Sequence, residues 1–217
     1  MKSVSFAVLA AAAAAIASTA HAQVTWTSSV APAPTYATGL NFDETPLPAG
    51  VPGNVAANAY AAYGVTSITS NSAVSVLNGN SQGWTFFPSG NQAMGANVIA
   101  LQFAYNLTAL SVQFWESAPN FSPIGSGGAS IDLYQGNTLV SSLFISNPFW
   151  QGNPAATLPT WFNVVANPGV TFNHVEFNGF SSTLSDTAAI DNLSWVPSPG
   201  AAGLLGLAGL AASRRRR

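Results

Sequence analysis

From residue 23 to residue 196, no stretch carries apolar residues at a helical period with caps at its ends. Short runs of β-branched and aromatic residues alternate instead with clusters of Gly, Pro, Asn and Ser. Such runs bury alternate positions of a strand rather than a helical stripe, so the segment reads as all-β. The best-defined run is Leu107–Trp115, where Leu110, Val112 and Phe114 alternate with Ser111 and Gln113. Before it, Asn97–Ala104 is apolar on both parities, as a central strand between two covered surfaces would be, and Asn106 is expected to turn the chain between the two. Gln135-Gly136-Asn137 separates Ala129–Tyr134 from Thr138–Ile145 as a hairpin turn does. Asn167-Pro168-Gly169 marks another turn, between Trp161–Val165 and Val170–Phe177.

Two breaks of parity predict bulges. Val170 and Phe172 share one phase, Val175 and Phe177 the other, which places a bulge near Asn173-His174. Ile190 and Leu193 are likewise out of phase around Asp191-Asn192. Pro46–Gly53, Gly79–Gly83 and Asn147–Pro159 read as loops. Strands so spaced, in one domain of this size, predict a two-sheet antiparallel sandwich of jelly-roll type.

The charges narrow the function. Only 6% of the 217 residues are charged. The five bases, Lys2 and Arg214 to Arg217, all lie at the termini. Residues 23–196 therefore hold seven acids and no Lys or Arg, a formal charge of −7 that the whole-chain value of −2 conceals. A body without a cation cannot neutralise phosphates, which argues against nucleic acid as a partner and against a nucleotide enzyme. The absence of Cys removes disulfides, thiolate chemistry and Cys-ligated metal. Aromatic residues at 11% and apolar residues at 48% suffice for a core and argue against disorder.

Both termini read as address labels. Met1–Ala22 has a basic start, an Ala-rich apolar stretch and the small-x-small sequence Ala20-His21-Ala22, the pattern of a cleaved secretory signal helix. At the other end, Pro197-Ser198-Pro199 precedes the 13 uncharged residues Gly200–Ala212, Ser213 and the Arg214, Arg215, Arg216, Arg217 cluster. As a helix the apolar run covers ~20 Å against a ~30 Å hydrocarbon core, a short span with arginines that stay cytoplasmic. This tail closely resembles the PEP-CTERM sorting signal of Gram-negative bacteria, with Pro-Ser-Pro where Pro-Glu-Pro is usual. The resemblance implies three segments: a signal peptide at 1–22, an ectodomain at 23–196 and a sorting signal at 197–217. It implies export across the inner membrane, transient anchoring there through the C-terminal helix, and recognition by an exosortase-type membrane protease-transpeptidase. The product would be released or attached at the cell surface or in an extracellular matrix of exopolysaccharide and biofilm. The body resembles the same family more weakly, through Phe42-Asp43-Glu44, Pro48-Ala49-Gly50, Tyr60, Gly64-Val65 and Ile190-Asp191-Asn192. That likeness suggests a jelly roll similar to carbohydrate-binding modules.

Asp43, Glu44 and Asp191 are the candidate metal ligands. First and last strands of a jelly roll can be neighbours, and carboxylates with backbone carbonyls suit Ca²⁺. No cofactor is required on this reading, and calcium would be structural. The alternative is separate strand-end acids that bond backbone N–H groups. Glu116 and Glu176 are the one pair of acids considered for glycoside hydrolysis. His174, the only His after the signal segment, lacks partners of known spacing and reads as a surface residue. Sugar rings stack their C–H faces on aromatic side chains. Phe149, Trp150 and Asn153, in a Pro-bounded loop, form the expected exposed platform, whereas Trp115 and Trp195 at strand ends read as structural. The sequence thus points to a non-catalytic surface protein that binds extracellular polysaccharide. The alternatives are a purely structural or adhesive matrix protein and, third, a glycoside hydrolase.

Overall fold

The computed structural model describes residues 23–29, 35–44, 53–70, 75–78, 92–96, 98–117, 128–146, 160–180 and 187–200. Twelve antiparallel strands make up nearly all of these. They are β1 (Val24–Ser29), β2 (Thr38–Leu40), β3 (Gly53–Asn54), β4 (Val65–Thr69), β5 (Ser75–Asn78), β6 (Gln92–Ala96) and β7 (Val98–Ser117). There follow β8 (Gly128–Gln135), β9 (Thr138–Ser146), β10 (Thr160–Ala166), β11 (Phe172–Phe180) and β12 (Thr187–Pro197). One 3-10 turn, Ala61–Tyr63, leads into β4.

The long strand β7 organises the rest. It has a partner on both edges along most of its 20 residues, and the partner changes part-way on each side. On one edge β11 covers Val98 to Leu107 and β10 covers Ala109 to Phe114. On the other, β4 covers Ala100 to Phe103 and β12 covers Leu107 to Ser117. The first half of β7 thus lies in a layer ordered β4-β7-β11-β8-β9, and the second half in a layer ordered β1-β10-β7-β12-β6-β5-β3. Asn106 was expected to break this segment into two strands. Instead its carbonyl accepts the Ser198 N–H at 2.7 Å, and its Oδ1 accepts from Gln135 Nε2 at 3.1 Å. The polar residue marks the change of layer, not a turn, because neighbouring segments satisfy its backbone and its side chain alike.

The layers pack face to face through the inward parity of each strand. Ala129, Ile131 and Leu133 of β8 are buried, as are Val175 and Phe177 of β11 and Leu110, Val112 and Phe114 of β7. Phe114 of the second layer meets Phe177 of the first at 5.9 Å between ring centroids. Trp26 of β1 donates Nε1–H to Ser141 Oγ of β9 at 3.1 Å, which joins an edge strand of each layer. Both expected bulges occur, between Phe172 and His174 and between Asp191 and Ser194. The hairpin turn also stands where expected: Gly136 takes φ 59° and donates its N–H to Asn173 Oδ1 at 2.8 Å. In the Asn167-Pro168-Gly169 turn, the Val170 N–H returns to the Asn167 carbonyl at 2.9 Å.

Within the Pro46–Gly53 segment read as a loop, Gly53 belongs to β3, paired with Val76. The expected boundary between body and tail falls inside the sheet. β12 continues to Pro197, opposite Leu107, and Ser198 is tied to Asn106. Residues 1–22 and 201–217 lie outside the described residues, and with them Ala20, Ala22, the arginine cluster and both expected terminal helices. Among the described residues no helix is long and apolar enough to cross a membrane.

Candidate functional site

The outer edge of β12 is shared by two partners. β6 pairs with Ala188 to Ile190 and β2 with Leu193 to Trp195. Between them, at Asp191-Asn192, the register against β7 slips and Asn192 adopts φ 49°. Asn tolerates this left-handed region better than most residues. Two bonds fix it there: the Asn192 N–H donates to Asp191 Oδ1 at 2.7 Å, and Asn192 Nδ2 donates to Gln113 Oε1 at 2.6 Å. Asp191 itself is fully buried.

β2 meets a matching irregularity. Two residues past its end, Phe42 takes φ 62°. A bulky side chain is a true outlier there, held only where its surroundings over-determine it. The Phe42 ring is wholly buried and packs edge-on against Tyr60 at 5.7 Å, which supplies the restraint. The kink folds Asp43-Glu44 back on the strand end. The Asp43 N–H donates to Asn41 Oδ1 at 3.2 Å and the Asn41 N–H to Glu44 Oε1 at 3.1 Å. Among the described residues, Phe42 and Asn192 are the only non-glycine residues with positive φ, and both stand at the β2–β12 corner. Gly39 lets the two strands approach: a Cβ there would lie 2.7 Å from the Leu193 carbonyl oxygen.

This corner encloses a cleft of about 290 Å³, lined by Tyr36, Asn41, Glu44, Trp161 and Asn192 among others. The Tyr36 N–H donates to Ser194 Oγ at 3.2 Å and its hydroxyl to Asn163 Oδ1 at 2.8 Å, so it bridges β12 and β10. Burial raises the Tyr36 phenol above its ordinary pKa. Trp161 is largely buried and contributes to one wall. Glu44 is exposed and is the one charged residue among the described residues of the lining. Tyr36, the small exposed part of Trp161, two amides and a carboxylate so placed can contact a small polar ring and hydrogen-bond its rim.

A second polar cluster covers the outer face of the other layer. Asp132 of β8 accepts hydrogen bonds from Ser130 Oγ at 3.0 Å, from Asn178 Nδ2 at 2.9 Å and from Ser142 Oγ. Directly opposite it on β11 stands Glu176. Glu176 accepts from the Tyr134 hydroxyl at 3.3 Å and lies 3.4 Å from His174 Nε2. The His174 ring lies over Tyr134 at 5.3 Å, tilted by 32°. Burial first, then the charges of Glu176 and Asp132, raise the Tyr134 phenol.

The neighbourhood expected for the two acidic segments is present, since β2 and β12 pair. Yet among the described residues no three His, Asp or Glu side chains gather as a metal would need, and that includes Asp43, Glu44 and Asp191. Asp191 and Glu44 each accept a backbone N–H group. Glu176 faces Ala100 in the first half of β7, whereas Glu116 belongs to the second half, so the register puts them in different layers. Trp195 is structural: it is buried, meets Phe103 edge-on at 5.2 Å and donates Nε1–H to the Tyr105 hydroxyl at 3.0 Å. Phe149, Trp150 and Asn153 lie outside the described residues. Sequence reasoning missed Tyr36, Asn41 and Asn192 as a group. The available signals were the parity break at Asp191-Asn192 and the resemblance carried by Phe42-Asp43-Glu44.

No protein-family model matches the chain, and no curated protein does. Solved structures give low-scoring matches. The enzymatically active domain of bacteriophage CBA120 tailspike protein 4 aligns over 60% of this chain and 19% of its own, at 15% identity and a TM-score of 0.36. TmCBM61 in complex with β-1,4-galactotriose aligns over 60% of this chain and 87% of its own, at 17% identity and a TM-score of 0.34. CBM32 of AlyQ in complex with 4,5-unsaturated mannuronic acid aligns over 62% and 96%, at 14% identity and a TM-score of 0.32. The chain thus spans about a fifth of the tailspike structure it matches.

Proposed function

We propose that this chain is an exported, non-catalytic, jelly-roll-like surface protein that binds polysaccharide in the β2–β12 cleft. One observation carries the reading: beside two left-handed, non-glycine residues at a single corner lies a cleft lined by aromatic and amide groups suited to a sugar ring. Backbone strain is retained where surrounding structure offsets it, and it clusters at binding sites. The test is retention of the mature chain on a panel of immobilised polysaccharides, with Trp161→Ala and Asn192→Ala as probes. Retention on at least one matrix that falls about tenfold or more in Trp161→Ala, with the fold intact, supports the cleft. Retention unaffected by either substitution sinks it.

A second reading, an adhesive matrix protein without a sugar site, has its own support. Among the described strands β9 is the outermost of its layer; it carries no charge and exposes Phe144 at 66% and Leu139 at 51%. Open edges of this kind invite pairing with another chain. Absence of retention on every matrix, together with self-association that Phe144→Lys abolishes, favours this reading.

The proposed route is signal-peptide export followed by exosortase-type removal of the tail. Intact mass of the protein recovered from the cell surface tests it. Loss of residues 1–22 and of the segment beyond the Pro-Ser-Pro motif is expected; the uncut chain in the cytosol overturns the route. Because Pro197 and Ser198 complete the sheet, a cut beyond Ser198 preserves the body and one before Pro197 removes a rung.

A further inference from the structure

Resting on the polysaccharide reading, we infer that the β2–β12 cleft selects sugars bearing a free amine over sugars bearing a carboxylate, with Glu44 deciding between them. Among the described residues of the lining, Glu44 is the only charged side chain. Its Oε1 takes the Asn41 N–H, and a carboxylate has room for further donors beyond one. No counter-charge can come from the body, because residues 23–196 contain no Lys or Arg. The one other residue there able to carry positive charge, His174, belongs to the opposite layer and is engaged with Glu176 at 3.4 Å.

A ligand that covers Glu44 therefore removes water from an anion that the protein cannot neutralise. A neutral ring must offset that desolvation with hydroxyl hydrogen bonds. A uronate adds like-charge repulsion at short range, whereas an ammonium offsets the desolvation with a charge-assisted bond. The body's −7 charge acts in the same direction at longer range, since it draws cationic ligands in and repels anionic ones. The cleft lies at the small end of ligand pockets, so the chosen unit is a short stretch of sugar, such as a hexosamine within a chain.

The test compares three soluble oligosaccharides on the mature chain by calorimetry. They are glucosamine oligomers, their N-acetylated counterparts and oligogalacturonate. Chelator is present to exclude metal bridging, and the pH is low enough to keep the sugar amine protonated. Glucosamine oligomers should bind several-fold to about tenfold more tightly than the acetylated ones, with oligogalacturonate weakest. Glu44→Gln should abolish the preference for the amine and improve uronate binding, with melting temperature little changed. Asp132→Asn removes one charge from the other layer and should leave the preference intact, which separates a local carboxylate from the general field. Equal affinity for amine and acetylated oligomers, or a preference that survives Glu44→Gln, overturns the inference and spares the polysaccharide reading. Failure of all three oligomers and of every matrix in the wider panel overturns both.

Discussion

Two carboxylates in this cation-free body face the same electrostatic problem and meet it differently. Asp132, on the outer face of the β8–β11 layer, takes three donors from its own sheet: Ser130, Ser142 and Asn178. Glu44, at the β2–β12 corner, takes one backbone N–H from three residues away and is exposed to the cleft. The first carboxylate is enclosed by its own fold, and the second keeps acceptor capacity. Polar groups with every partner in place hold strands in register, and those with capacity left are where a ligand can add free energy. The two regions also differ in what fixes them. Bonds across ordinary strands hold the Asp132 face, whereas two left-handed residues and a buried ring hold the cleft.

The largest expected effect tests that difference directly. Phe42→Ala removes a fully buried ring and should cost about 3–5 kcal/mol in denaturant unfolding. Phe42→Gly removes still more of the side chain but relieves the left-handed strain, so it should be less damaging than Ala by about 1 kcal/mol. If Gly proves as destabilising as Ala or worse, the corner is not strained and the contrast with the Asp132 face fails.

Next come the two acids themselves. Asp132→Ala takes an acceptor from each of Ser130, Ser142 and Asn178 and should destabilise by about 1–2 kcal/mol, with glycan retention unchanged. Glu44→Gln should shift stability by no more than about 0.5 kcal/mol while it alters ligand preference. Urea unfolding beside a retention assay reads both variants. An exchange of phenotypes, with Glu44 structural and Asp132 governing retention, would move the candidate site to the other layer.

Most of the strand pattern is legible in the sequence, because burial at alternate positions leaves a period of two that survives bulges. The Phe172/Val175 and Ile190/Leu193 phase breaks each locate one of them. The continuity of β7 is not legible. Asn106 carries a turn signal, and only the return of Ser198 and Gln135 to it shows why the strand runs on. The cleft is half legible. The expectation that first and last strands adjoin brings the two acidic segments together, but it is the second strand, β2, that meets β12, since β1 pairs with β10; Asn192 sits at a visible phase break. Phe42 offers no local sign of its left-handed backbone, since tertiary burial rather than residue preference imposes it. Tyr36 and Asn163 meet across 127 positions, a contact that no spacing rule reaches.

The smallest expected effect separates the two regions by a tyrosine on each. The Tyr36 and Tyr134 phenols are both raised above the ordinary value of 10.0, burial being the larger cause in each. The sign follows from linkage. The fold favours the neutral phenol, so this contribution to stability is complete below the unfolded value near pH 10 and is lost as pH rises through the higher folded value. Absorbance titration should therefore show one late-ionising phenol that Tyr36→Phe removes and another that Tyr134→Phe removes. A bound glycan that covers the cleft should delay Tyr36 further through added desolvation and leave Tyr134 where it was. A ligand that moves Tyr134 instead has found the face of Asp132, and one that moves both acts through the fold as a whole rather than at the corner.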